Sequence, residues 1–212
     1  VVGVNRYMED PMSLIDIGIF GTRNLINMCH KHHIRMLFTS TSEAYGKNPH
    51  TPWQENNDRI LGPTNIDRWS YSTSKALCEH MLFGVYHKDK WPMSIVRFFN
   101  VYGLRSRTTG AYGAVFGVFL AQKKYNKPLT IVGDGKQTRD FINVKDLVNA
   151  IYKASIKKNL KRKIFNLGSG KETSVNEIAK IIGGKKITVP KRPGEPDRSQ
   201  ADITKIKDEL GW

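Results

Sequence analysis

Four short apolar runs, at residues 35–40, 94–99, 129–132 and 163–167, are each followed by a stretch of helical period. That alternation points to an α/β fold with parallel strand pairing. Ahead of the first run, residues 11–33 carry Leu14, Ile17, Leu25 and Met28 at helical spacing, with Gly18 and Gly21 expected on the same packed face. Residues 71–88 form a second helix with Tyr71, Lys75, Cys78, Leu82 and Val85 along one stripe. Between the first strand and that helix, Pro49, Pro52, Gly62 and Pro63 mark a loop of residues 46–68, long enough to expect a functional role. Further helices are expected at 115–124, 144–157 and 174–182, the last opened by Ser174 with Glu177 three residues on, and a short one from Asp202.

The formal charge of +15 suits an anionic partner: nucleic acid, a membrane surface or a phosphorylated small molecule. The lysines are dispersed, however, and the densest run, 157–163, has no interleaved aromatic residues, so a solvated helix end is the better reading and nucleic acid is not expected. No apolar run is long enough to span a membrane, and no secretion signal is present. With only Cys29 and Cys78, two free thiols in a cytoplasmic protein are expected. The cluster Cys29-His30-Lys31-His32-His33 matches no zinc-ligand spacing and reads as imidazoles at a helix C-terminus, so no metal is expected.

Tyr71 and Lys75 stand four positions apart, so phenol and ammonium share one helix face. A cation beside a phenol favours the phenolate, and on that basis the Tyr71 pKa is expected to fall towards neutrality. About thirty residues upstream the apolar run Leu37-Phe38 ends in Thr39-Ser40-Thr41-Ser42-Glu43. Strand alternation would put Thr41 and Glu43 on one face and Ser42 on the other. Ligands of open parallel sheets bind beyond the carboxyl ends of strands, which is where these residues would lie.

With these stretches, the sequence resembles the extended short-chain dehydrogenase/reductase superfamily, in particular its NAD-dependent nucleotide-sugar epimerases, dehydratases and decarboxylases, over essentially its whole length. The resemblance implies an incomplete Rossmann-type doubly wound parallel sheet with a smaller α/β substrate-binding region. Residues 1–103 would be the C-terminal half of the dinucleotide-binding domain. Residues 104–212 would mainly bind the nucleotide sugar, with some segments returning to the sheet. The chain starts at Val1 and has no Gly-rich turn between a strand and a helix; Gly168-Ser169-Gly170-Lys171 lacks the leading Gly of a phosphate loop. An internal piece that alone neither holds NAD firmly nor turns over is therefore expected.

The same resemblance assigns roles. Thr41 would bond the sugar hydroxyl being oxidised, Tyr71 would be the base, and Lys75 would hold the cofactor ribose. Ser40, Phe98 and Phe99 would lie near the cofactor. Ser42, Asn100, Thr130, Val132, Arg139, Arg192 and Arg198 would meet the substrate, the arginines because a planar guanidinium fits phosphate oxygens. Glu43 would supply a second acid or base, as in the decarboxylases and some dehydratases. Two positions depart from the family pattern: Gly18 replaces a usual Asn, and Ser199 stands where decarboxylases carry a catalytic Arg, with Arg198 one place away. The expected activity is 4-epimerisation of a UDP-sugar, with uronate decarboxylation or 4,6-dehydration as the alternative. A homodimer through the first two helices is implied. A non-catalytic binding piece and a basic binding module are the readings of other classes.

Overall fold

The structure is a computed structural model that describes residues 10–108, 115–157, 160–191 and 194–212. Helix α1 (Pro11–Lys31) leads through β1 (Met36–Thr41) and a 3-10 turn, Ser42–Tyr45, into the long loop. A second 3-10 turn, Asp67–Trp69, opens α2 (Ser70–Asp89), followed by β2 (Met93–Phe98) and β3 (Asn100–Tyr102). Then come α3 (Val115–Lys124), β4 (Leu129–Val132), β5 (Thr138–Asn143), α4 (Val144–Ile156) and β6 (Lys163–Leu167). The chain closes with β7 (Glu172–Ser174), α5 (Val175–Ile182), β8 (Lys186–Val189) and α6 (Thr204–Leu210).

Strands β1, β2 and β6 form a parallel sheet in that order, and Thr41, Phe98 and Leu167 end it in register. Both faces are covered, which explains the unbroken apolar runs in the sequence. Ile95 faces a core with Ile26 of α1 and Cys78 and Leu82 of α2, while its neighbour Val96 faces Leu147 and Ala150 of α4 and Ile206 of α6. Strand β5 pairs parallel with β3 and antiparallel with β7, and β4 pairs with β8 under Phe119 and Ile178 of α3 and α5.

The face of α1 that packs is only partly the expected one, keeping Leu14 and Gly18. Leu14 and Ile26 are buried, whereas Ile17, Leu25 and Met28 are more than half exposed. A helical repeat offers neighbouring stripes, and α2 packs along the one that holds Gly18, where the Cys78 thiol donates to the Gly18 carbonyl at 3.6 Å.

Strand β5 is not among the strands expected from the sequence. Its Asp140 is completely buried, and its carboxylate accepts from the backbone N–H groups of Ser169 (2.6 Å), Gly170 (2.9 Å) and Ala201 (3.0 Å). Burial pushes its pKa up, and these bonds pull it back down. The Ser169-Gly170 amides are thus spent on an internal carboxylate, and the capping box of Ser174 and Glu177 starts α5 as expected.

The loop after β1 is a fastened strap. Trp53 stacks on Tyr45 with ring centroids 5.0 Å apart, donates its backbone N–H to Gln200 O (2.8 Å), and accepts from Asp202 N (2.9 Å). It thereby ties the loop to the C-terminal segment.

Candidate active site

Thr41 is the last residue of β1, and Tyr71 sits in the first turn of α2, which lies against that strand. The Thr41 hydroxyl comes close enough to the Tyr71 phenol to favour its ionised form. Leu14 of α1 packs against Tyr71.

The expected depression of the Tyr71 pKa is not what the geometry produces. Burial pushes it up to about 12, the Glu43 carboxylate adds to the rise, and only the Thr41 hydroxyl opposes them. Lys75 is turned elsewhere: its ammonium donates to Thr39 O at 3.0 Å and lies 4.9 Å from the centre of the Phe38 ring. Burial lowers the pKa of Lys75 itself.

Glu43 is not on a strand face opposite Ser42, because β1 stops at Thr41 and the 3-10 turn begins. Thr41 Oγ1 caps that turn by accepting from Glu43 N at 3.2 Å, and Ser42 is buried within it. The turn directs the Glu43 carboxylate to the guanidinium of Arg68, with which it forms an ion pair.

Further along, Arg139 of β5 pairs with Glu195 at 3.5 Å and donates to its neighbour's carbonyl, Thr138 O, at 2.8 Å. Burial lowers its pKa, while Glu195 and Glu43 hold it up and Arg68 pushes it down. Two ion pairs, Glu43 with Arg68 and Arg139 with Glu195, therefore stand within electrostatic reach of each other beside Tyr71. Neither Arg68 nor Glu195 was picked out from the sequence as a site residue. The partners lie 25 and 56 positions apart, and no local pattern reports such a pairing.

Other expected contacts have structural partners. Ser40 donates to buried Glu79 at 2.5 Å. Phe98 adjoins Thr41 in the sheet register and packs partly against the α4 side, while Phe99 lies within the core cluster of Tyr45, Trp53 and Ala201. Asn100 ties β3 to β5 by donating to Asp140 O at 3.2 Å. Thr130 accepts from Gln122 Nε2 at 3.0 Å. Val132 lines a groove of about 240 Å³ with Gln137, Lys191, Glu195 and Arg198. Arg198 nonetheless spends its guanidinium on Glu172 at 2.6 Å in a largely exposed ion pair, and Ser199 beside it is buried. Arg192 lies outside the described residues.

The sequence pattern of the NAD dependent epimerase/dehydratase family matches residues 1–168. The chain belongs to this family. It is similar to the UDP-N-acetyl-alpha-D-glucosaminuronate decarboxylase of Bacillus cytotoxicus, 36% identical over 220 residues that cover 98% of this chain and 67% of that protein. Its likeness to UDP-glucuronic acid decarboxylase 4 of Arabidopsis thaliana is 32% over 213 residues, covering 98% of the chain and 47% of that protein. Among solved structures, the UDP-glucose 4-epimerase of Thermotoga maritima with UDP-glucose superposes with a TM-score of 0.89 at 28% identity, over 100% of this chain and 68% of the other. The chain thus spans about half to two thirds of the length of these relatives.

The family is NAD-dependent, and the residues present fit one end of that cofactor. Lys75 uses one of its three donors on Thr39 O, which leaves N–H groups for ribose hydroxyls beside the Tyr71 phenol. A Gly-rich turn for the diphosphate is absent from these 212 residues. Among the described residues, no three His, Cys, Asp or Glu side chains are grouped to hold a metal, and no helix is long and apolar enough to cross a membrane.

Proposed function

We propose that the complete polypeptide oxidises a UDP-sugar at C4 with NAD and that the sugar is a uronic acid, which then loses its carboxylate. The observation that carries the oxidation is the approach of the Thr41 hydroxyl to the Tyr71 phenol at the carboxyl end of β1, with Lys75 one helical turn beyond. Lys75 would hold the ribose end of NAD, which would supply the acceptor for a hydride from C4. Thr41 orients the sugar's C4 hydroxyl, and Tyr71 takes its proton as the hydride leaves. In a uronic acid the resulting C4 ketone stands β to the carboxylate. The C5–C6 bond can then break with release of CO2, its electron pair forming an enolate that takes a proton at C5. Tyr71 would return its proton to the C4 oxygen as the ketone is reduced again, which closes the cycle.

Glu43 favours this fate over simple inversion at C4. A pure 4-epimerase has no use for a second titratable group beside the phenol, and here a carboxylate with its own guanidinium partner stands there. The decarboxylases among the relatives support the same reading. A 4-epimerase remains the second reading, supported by the likeness to the Thermotoga maritima structure and by Ser199 occupying the decarboxylases' Arg position. Glu43→Gln separates the two. For a decarboxylase, reduced nicotinamide should still accumulate with UDP-glucuronate, while CO2-linked product falls by about 10²-fold. Unimpaired 4-epimerisation of UDP-glucose by the variant would remove the decarboxylase reading.

The exposed apolar face of α1, with Ile17, Phe20, Leu25 and Met28, and Leu77 of α2 fit a homodimer interface built from these two helices. Sedimentation of the complete polypeptide should return twice the monomer mass; a monomer at micromolar concentration would refute this.

A further inference from the structure

Arg68 occupies the turn just before the catalytic helix, three positions from Tyr71, and its side chain is 7% exposed against 29% for Glu43. Glu43 therefore faces the cleft and Arg68 stands behind it. The guanidinium is fixed from its own side as well. Its Cζ lies 5.7 Å from the centre of the Trp69 ring, and Trp69 is clamped between two glycines. At Gly62 a Cβ would overlap the indole nitrogen. At Gly194, where φ is +74°, a Cβ would lie 3.4 Å from both Arg68 Cγ and Trp69 Cζ2. The strap and the C-terminal segment thus close on Arg68–Trp69 without a side chain between, and the buried cation is aimed at one carboxylate.

We infer that Arg68 is the positioning residue for Glu43: it holds that carboxylate in place beside the Tyr71–Thr41 pair and compensates its charge there. The inference deepens the proposed function and rests on it for the roles of Tyr71 and Glu43. A half-buried carboxylate facing a phenol opposes the phenolate, and a guanidinium bonded to that carboxylate relieves the opposition. Arg68 therefore acts on the base through Glu43. Glu43 from the turn after β1 is the charged group that acts on the phenol, with Arg68 from the turn before α2 bonded to it; Arg139 of β5 reaches Glu43 and Arg68, Lys75 on α2 is turned to Thr39 O, and α1 presents Leu14.

The test is the titration of residue 71 itself. In the complete polypeptide, a difluorotyrosine placed at position 71 has a phenol acidic enough to ionise at a pH the fold tolerates, and fluorine NMR follows it. Arg68→Met should raise its midpoint by about one pH unit, whereas Glu43→Gln should lower it by a similar amount. The double variant should titrate like Glu43→Gln, because the carboxylate that Arg68 positions is gone, and Arg68→Lys should stay near wild type. A midpoint unmoved by Arg68→Met overturns the assignment. If Arg68→Met does not fold, the double variant carries the test, since it leaves no carboxylate uncompensated. A double variant that also fails to fold, or titrates unlike Glu43→Gln, overturns the assignment. Midpoints that move as expected, in a wild type that forms no reduced nicotinamide with UDP-glucuronate, support the Arg68 assignment and refute the sugar-oxidation reading.

Discussion

Tyr71→Phe in the complete polypeptide should lower the rate of nicotinamide reduction by about 10³-fold, the scale of a lost general base, with the fold intact. The ring would keep its packing against Leu14, and Thr41 would keep its capping bond to Glu43 N. What disappears is the acceptor for the C4 hydroxyl proton. The wild-type pH dependence should carry the same signature. With the phenol pushed up to about 12, only a small fraction is ionised at neutral pH, so the oxidation rate should climb as pH rises, and the variant should lose that climb. Rapid mixing with UDP-glucuronate measures both. A variant within tenfold of wild type would remove Tyr71 from the chemistry.

Glu79→Ala should destabilise the fold by about 3–5 kcal/mol, the range for breaking a buried ion pair from one side. Glu79 and Arg97 are each 6% exposed and joined by two bonds, Nε to Oε1 at 3.0 Å and the terminal nitrogen to Oε2 at 2.7 Å. Burial works against the Arg97 cation, yet its bonds to Glu79 and the contact with Tyr45 raise its pKa above the ordinary value. Arg97 also donates to Glu55 O at 3.0 Å and lies 4.8 Å from the centre of the Tyr45 ring, so it pins the strap to the sheet. Truncating Glu79 strands that cation and leaves Ser40 without its acceptor. Removing both charges, as Glu79→Leu with Arg97→Met, should lose less than the two single changes summed. Denaturant unfolding decides: a midpoint for Glu79→Ala within about 1 kcal/mol of wild type would show that the pair carries little stability.

What the sequence disclosed follows from how each feature is held. Strands β1, β2 and β6 are buried on both faces, so their apolar runs announce them, and the capping box at Ser174 announces α5. Strand β5 hid behind Arg139 and Asp140, two charges stabilised by groups far along the chain: Glu195 for one, and the amides of Ser169, Gly170 and Ala201 for the other. The meeting of Thr41 with Tyr71 could be anticipated because motif residues on a strand end and a helix start converge in this topology. The direction of the Tyr71 pKa could not, since it depends on burial and on where Glu43 and Lys75 point. Both point away from the simple helix-face picture, Lys75 to Thr39 O and Glu43 to Arg68.

Isotope transfer from the sugar to the cofactor tests the central claim most directly. The complete polypeptide, loaded with NAD, is incubated with UDP-glucuronate deuterated at C4, and the nicotinamide is recovered under single-turnover conditions for mass spectrometry. Deuterium should appear on the nicotinamide in the wild type and be absent in Tyr71→Phe. Product formed by the wild type without deuterium on the nicotinamide at any time would contradict oxidation at C4 by the Thr41–Tyr71–Lys75 site.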